Sequence, residues 1–417
     1  MQIQSIRGIN DILPDETATW NAVEQTAREI FETYGFQEIR TPILEKTNLF
    51  ARSLGENTDI VEKEMYSFTD KGHEKVTLRP EGTASVVRAY IQHHLYQPPG
   101  LVKVYYLGPM FRYERPQAGR YRQFYQIGVE AFGVEDPALD AEILAMSMAF
   151  FRRLGLEEVS LQLNSLGCQA CRPAFKTALQ EHLHSRLPFL CEDCQRRFSQ
   201  NPLRILDCKR EECRQQLSQL PEMGEILCAG CCEHFEQVQS FLGSLQVPFQ
   251  VNPRLVRGLD YYTRTAFEFT SDRLGAQNAV GGGGRYDRLV EEIGGPSTPS
   301  IGFALGMERM VALLEERGKK MEAATPQAFI AALGSGAERL AFELLDRLRS
   351  AGIRAERDYG NASLKSQMRK ANRFQARYVV ILGEEELASG RATVKAMQTG
   401  EQVPVPLEEL VPWLQGK

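Results

Sequence analysis

The chain has 417 residues, 43% of them apolar and 25% charged, with 34 Gly, 20 Pro and a formal charge of −5 from 49 basic and 54 acidic side chains. At ~150 residues per domain that length predicts about three domains, and the balance excludes a small peptide, a disordered or collagen-like chain and a protein that coats nucleic acid through bulk positive charge. Any RNA contact must use local basic patches on an acidic body.

The opening MQIQSIRGINDILPDE lacks a basic start and an apolar core, and the apolar run at 143–151 is too short for a bilayer. A cytoplasmic protein without a membrane span is expected. A first helix is predicted from a cap at Asp15, with Trp20, Val23, Ala27, Ile30, Phe31 and Tyr34 at helical spacing and Gly35 as its stop. Strand signals follow as VTLR at 76–79, LVKVYYLGPMF at 101–111 and QFYQIGVEAF at 123–132. The last two flank ERPQAGRY at 114–121, which predicts an antiparallel hairpin with a long basic tip. Helical periodicity returns over 140–154. The stretch from 165 to 245 is different in kind, holding all nine cysteines and little strand signal, and reads as an insertion. After it come a strand at 265–270, a tight glycine passage at 281–284, a strand or turn leading into a helix over 302–316, and a polar linker at 315–327. Beyond the linker, strand and helix alternate through AFIAAL, AERLAFELLDRLRSAG, IRAERD, SLKSQMRKANRFQA and YVVILG, the signature of a compact α/β domain.

Period-two geometry puts Gln126, Gly128 and Glu130 on one face of the 123–132 strand. A carboxylate there marks either a wet sheet surface or the floor of a polar pocket. Arg112 shares the corresponding face of the preceding strand, and Arg112, Arg115, Arg120 and Arg122 surround the hairpin turn. Guanidiniums clustered at such a tip suit polyphosphate or RNA phosphate, although a solvated charged hairpin has the same composition. Glu81 and Thr83 follow a short strand in RPEGTA, and RGLDYYTRT at 257–265 gathers Arg257, Asp260, Tyr261 and Tyr262. The glycine run matches neither a P-loop nor a dinucleotide fingerprint.

Six segments together resemble the histidyl-tRNA synthetases of class II: RGINDILPDE at 7–16, TLRPEGTA at 77–84, GPMFRYERPQAGRYRQFYQIGVEAFG at 108–133, LVRGLDYYTRTAFEF at 255–269, GGGRYDRLV at 282–290 and GFALGMERM at 302–310. The resemblance implies an α+β fold: a class II antiparallel-sheet catalytic core at 1–164 and 247–320, a mainly helical Cys-rich insertion at 165–246 and a C-terminal α/β anticodon-binding domain at 326–417. It implies a ligase that joins L-histidine to tRNA(His) with ATP and Mg²⁺, working as a homodimer with Pro42 at the interface. Residue by residue, it puts Arg112 on the α-phosphate, Arg120 and Arg309 on the γ-phosphate, and Arg257 between the amino-acid carboxylate and the α-phosphate. Glu81 and Thr83 would receive the α-amino group and Gln126 would lie near the carboxylate. Glu130 and Tyr262 would bond the imidazole, in a pocket that also takes in Gly82 and Tyr261.

Cys168-x2-Cys171 and, nineteen residues on, Cys191-x2-Cys194 have the spacing of a structural zinc site, with Cys208, Cys213, Cys228 and Cys231 as a second, looser set. A zinc-stabilised insertion and a set of free buried thiols both fit. Residues 347–377 carry nine Arg or Lys against Glu356 and Asp358, a local +7 that makes a candidate RNA face or a solvated amphipathic helix. Two other readings fit parts of the chain. A silent regulatory paralogue would lack the last domain, and a proline or threonine synthetase has no use for the Glu130 and Tyr262 pair.

Overall fold

The computed structural model describes residues 3–417 apart from 56, 57, 59, 117, 118, 209, 218, 219, 221, 276, 277, 319, 320, 322, 323 and 361. Part of the basic hairpin tip, at 117 and 118, and four residues of the expected linker, at 319, 320, 322 and 323, therefore lie outside the described residues. Contacts divide the chain into two compact units, Met1–Met321 and Glu322–Lys417.

The first unit is built on eight strands in the spatial order Gln37–Glu38, Val102–Phe111, Gln123–Phe132, Ser300–Gly306, Ala279–Arg285, Thr263–Thr270, Ser160–Ser165 and Gln250–Val251. The six inner strands run antiparallel, and the two short edge strands lie parallel to their neighbours. One face of this sheet carries Ile127, Val129, Phe267, Phe269 and Phe303, and packs against helices Pro14–Thr33, Pro137–Arg153 and Met307–Glu316. The first helix buries Trp20, Val23, Ala27 and Phe31 as one stripe. Its start is Pro14, which loses nothing at a first helical position, and Glu16 accepts the Leu13 N–H at 3.0 Å. The cap is therefore Leu13, not Asp15.

On the opposite face Val104, Tyr106, Met110 and Phe132 pack under helices Thr47–Leu54, Thr83–Gln92 and Leu289–Ile293, while the middle strands carry small residues. Residues paired across strands share a face, and the register aligns Gly128 with Tyr106 and Ala304, Glu130 with Gly302, and Gly282 with Ala304 and Glu268. Glycine and alanine thus floor a hollow along four strands. The run 281–284 is the middle of a strand rather than a turn, because its neighbours approach too closely for any side chain. A Cβ on Gly283 would lie 2.0 Å from the Gly302 carbonyl oxygen, and one on Gly281 2.4 Å from that of Ala304.

Tyr106 fills the hollow's inner end over two more glycines. A Cβ on Gly128 would sit 2.3 Å from the Tyr106 Cζ, and one on Gly82 2.2 Å from its Cε2. Overpacking of this kind costs about 1–3 kcal/mol. Gly128→Ala should accordingly lower the thermal midpoint by several degrees, and an unchanged melting curve would show that the ring can move aside freely.

Within the insertion, which ends in helix Ala229–Ser244, helices Cys171–His184, Glu192–Gln200 and Glu211–Gln216 surround a small core of Leu179, Leu183, Leu190, Cys194, Ile205, Cys208, Cys213 and Leu217. Its last helix sends Val238 and Leu242 into the main core, so this stretch belongs to the first compact unit. The second unit has a five-stranded sheet in the order Ala355–Arg357, Ala328–Ala332, Tyr378–Leu382, Arg391–Ala396 and Gln402–Pro406. Its first three strands are parallel, joined through helices Ser335–Ser350 and Leu364–Arg373, and the last two add an antiparallel hairpin.

Candidate active site

A cavity of about 340 Å³ opens over the glycine and alanine floor, room enough for a small-molecule substrate. Its walls bring together Arg112, Arg120, Arg257 and Arg309 with Glu81, Thr83, Gln126, Tyr261 and Tyr262. These residues come from positions more than two hundred apart in sequence, and only the strand order makes them neighbours.

Each arginine is held in place. Arg112 steps out just past Phe111, donates from Nε to the Pro80 carbonyl at 2.9 Å and lies 5.2 Å from the Phe124 ring centre. Glu114 lies 3.9 Å from Arg112 and 3.3 Å from Arg120. Arg309, near the start of its helix, donates to the Ala279 carbonyl. Burial depresses its pKa, and the like charge of Arg120 depresses it further. Arg257 donates to Glu268 at 2.8 Å and faces the Tyr262 ring at 5.8 Å. Burial opposes its charge, but Tyr262, Glu268 and Tyr261 outweigh that and raise its pKa. A cleft that collects cations against both burial and mutual repulsion is arranged for an anion of high charge.

The other corner is a buried network. Glu81 accepts the N–H groups of Thr83 and Ala84, each at 2.8 Å, and so caps helix Thr83–Gln92. Burial pushes its carboxyl pKa up against those two bonds. Behind it, Glu130 accepts from the Thr83 hydroxyl at 2.7 Å and from the Tyr286 hydroxyl, with the Tyr106 hydroxyl 3.4 Å away. Glu130 has no exposed surface, which rules out a wet sheet face, and burial pushes its carboxyl up to about 8 despite three hydroxyl neighbours. The Gln126 Oε1 is buried with no hydrogen-bond partner among the described residues, an acceptor aimed at something the protein does not itself supply.

Most of the expected site residues therefore line one cavity. Glu130 and Gly82 do not reach its wall: Glu130 lies one layer behind Thr83, and Gly82 is pressed against the Tyr106 ring. The expected cysteine set also regroups. Cys168 and Cys171 stand with Cys228 and Cys231, while Cys191 and Cys194 stand with Cys208 and Cys213. Spacing along the chain could not show this, because the helices between the pairs fold each onto a later partner.

Sequence reasoning missed Glu268, Tyr106, Tyr286, Glu308 and Asp207. Glu268 was detectable: flanked by core-facing Phe267 and Phe269, it must point to the cavity face. Glu308 accepts the Tyr125 N–H at 2.9 Å, and burial pushes its carboxyl up to about 7. Asp207 brings the insertion itself to the cavity wall. Its neighbours Asn201 and Arg204 hold Asp260, the first through a 2.7 Å hydrogen bond and the second at 3.6 Å, and Asp260 immediately precedes the two tyrosines.

Residues 8–310 match the family described as histidyl-tRNA synthetase, and residues 327–417 match the anticodon binding domain family. A histidine–tRNA ligase of Syntrophotalea carbinolica is 53% identical over 408 residues, spanning 98% of this chain and 97% of that protein. A histidine–tRNA ligase of Geobacter metallireducens is 55% identical over 406 residues, covering 97% and 98%. The apo histidyl-tRNA synthetase of S. aureus superposes with a TM-score of 0.85 at 40% identity, over 99% of this chain and 100% of that one. Given a match that spans both units, the chain belongs to the histidyl-tRNA synthetase family.

Proposed function

We propose that the cavity activates L-histidine with ATP and that the enzyme then transfers the histidyl group to the 3′ end of tRNA(His). The observation that carries this reading is the convergence of four guanidiniums over a glycine floor, beside a buried acid and phenol corner. A histidine carboxylate oxygen attacks the α-phosphorus, a mixed anhydride forms, and the bond to the leaving pyrophosphate breaks. The nucleophile is already anionic, so the protein needs no general base; it must neutralise charge that moves onto phosphate oxygens. Arg112 and Arg257 are the catalytic residues at the α-phosphate, and Arg120 and Arg309 hold the γ-phosphate. Mg²⁺, when bound with ATP, would supply further charge neutralisation, and Glu114, beside Arg112 and Arg120, is the carboxylate that would hold it.

Glu81 and Thr83 receive the α-ammonium group, and Gln126, expected near the carboxylate, turns its unpartnered Oε1, an acceptor, to that ammonium as well. Tyr262 and the Glu130 network read the imidazole, and a site that satisfies both ring nitrogens rejects analogues that cannot bond by about 10⁴ or more. Pyrophosphate exchange that depends on histidine tests the assignment. Exchange driven equally well by another amino acid would reject it.

A pH prediction follows from Glu130. Its carboxyl, pushed up to about 8, keeps a proton at neutral pH that it can pass through the Thr83 hydroxyl, 2.7 Å away on the cavity wall, to an incoming neutral ring. Above that value the acid is already ionised, so binding must draw a proton from solvent, and affinity falls by up to about tenfold per pH unit. Histidine titrations between pH 7 and 9 should show this limb in the wild type and lose it in Glu130→Gln. A flat wild-type profile removes the proton role.

The second unit supports the tRNA assignment. Arg349 pairs with Glu356 at 3.2 Å and Lys370 pairs with Asp358, so the two acids of the basic stretch are neutralised, while Arg347, Arg354, Lys365, Arg369 and Arg373 stay exposed. For the homodimer, Ile43 and Leu44 beside Pro42 are 42% and 46% exposed, an apolar edge that a second copy would cover. None of the nine cysteines forms a disulfide, as a reducing cytoplasm would have it, and no described helix is long and apolar enough to cross a membrane.

A further inference from the structure

Eight of the nine cysteines stand in two groups of four that the reaction does not use. In the outer group, Cys168 and Cys171 open helix Cys171–His184, and Cys228 and Cys231 open helix Ala229–Ser244. In the inner group, Cys191 and Cys194 open helix Glu192–Gln200, while Cys208 closes the turn Pro202–Asp207 and Cys213 lies in helix Glu211–Gln216. The sulfurs of each group all lie within 4.8 Å of one another. The Cys168 Sγ is 3.7 Å from that of Cys171 and 3.9 Å from that of Cys228, and the Cys191 and Cys208 sulfurs are 4.0 Å apart. Four thiolates about 2.3 Å from one zinc ion have tetrahedral edges of about 3.8 Å. An iron–sulfur cluster needs its cysteine sulfurs further apart.

The backbone repeats the same device in both groups. The Cys228 N–H donates to the Cys171 sulfur at 3.2 Å, and the Cys191 N–H to the Cys213 sulfur at 3.2 Å. Those bonds favour sulfur as an anion, and so do the three helix N-termini on which most of the thiols sit. At Gly167, with φ of +63°, a Cβ would lie 2.7 Å from the Cys171 Cβ, so the chain turns as tightly there as two ligands three residues apart require. Cys232, the ninth, donates to the Leu227 carbonyl at 3.8 Å and stands apart as an ordinary thiol. The core around the inner group is otherwise small and built on short helices, the situation in which a metal replaces missing apolar burial.

We propose that the insertion holds two structural zinc ions: one on Cys168, Cys171, Cys228 and Cys231, and a second, nested within that loop, on Cys191, Cys194, Cys208 and Cys213. Each site is closed by four protein ligands, leaves no position for substrate, and releases the thiol protons to solvent as the metal binds.

The test is elemental analysis of the full-length enzyme, expressed with zinc available and purified without chelator. Two zinc ions per chain are expected. Zero, one, or stoichiometric iron in place of zinc overturns the proposal. The pairing has its own readout: Cys168→Ser and Cys228→Ser should each lose one ion, the same one, and Cys191→Ser and Cys213→Ser the other. Loss of a common ion in Cys168→Ser and Cys191→Ser contradicts the nested arrangement. Should a variant fail to fold, alkylation of the native wild type decides. Cys232 should react first with the other eight protected until a mercurial displaces the metal, whereas rapid labelling of all nine supports free thiols and refutes the metal sites.

Discussion

Arg257→Ala should reduce histidine-dependent pyrophosphate exchange by 10²–10³-fold, roughly the 3 kcal/mol that one fixed donor aimed at developing charge contributes. The effect should fall mainly on kcat, since the guanidinium meets charge that appears fully only as the phosphorus changes coordination. Removing Arg257 also strands Glu268, now 2.8 Å from it, as a half-buried anion beside the polyphosphate. Part of the loss is therefore repulsion, and Arg257→Ala combined with Glu268→Gln should recover ATP affinity without recovering kcat. Arg257→Lys keeps the charge but loses the planar fork, and belongs between the two. Exchange within a few-fold of wild type in Arg257→Ala would remove this residue from the chemistry.

The second large effect concerns stability. Arg285 has no exposed surface and is held by Asp140, equally buried, through contacts of 3.0 and 2.7 Å. It also donates to the carbonyls of Val134 and Asp136, each at 3.2 Å, and lies 3.3 Å from Asp287. Burial pushes the Asp140 carboxyl up to about 6, with Arg285 pulling against it, so at neutral pH the acid is ionised and needs its partner. His234, 3.7 Å away, cannot substitute, because burial and the charges of Arg285 and Arg264 hold its pKa down near 4 and keep it neutral. Arg285→Met should cost about 3–5 kcal/mol and lower the melting temperature by roughly 10 °C. Adding Asp140→Leu should restore much of that, since the cost is the abandoned charge rather than the lost pair. A single variant that melts with the wild type would show water reaching Asp140.

Arg285 also shows what the sequence left unread. It sits in GGGRYD, a motif shared with the family, beside catalytic-looking glycines, yet it anchors a helix and a strand and does not line the cavity. The strands at 102–111 and 123–132 were plain because their apolar alternation is long, and the polar Gln126 and Glu130 stood out against it. The hollow above them was not, since it consists of absent side chains: Gly128, Gly302 and Gly282 look like loop residues until neighbouring strands are aligned. The four arginines were found by resemblance to a family and by clustering only at the hairpin. Tyr106 and Tyr286 gave no signal, because a tyrosine in an apolar stretch is ordinarily core, and only the position of Glu130 gives these two a polar task. The hairpin at 391–406 was missed although Ala392, Val394 and Ala396 alternate with polar residues, because both strands are short and prolines at 404 and 406 interrupt the second, as fits an edge strand.

The sheet's order also bears on how the enzyme comes into being. Two of its inner strands, Gln123–Phe132 and Ser300–Gly306, join stretches separated by more than half the first unit. Such distant pairing is slow to nucleate, since a long loop must close before any contact rewards it. A chain emerging from the ribosome cannot complete the nucleotide pocket until the segment with Arg309 has left the exit tunnel. Newly made enzyme should thus acquire ligand affinity in one late step, and bound histidine or ATP should act as a brace on that final closure, protecting the young protein from proteolysis more than the mature one.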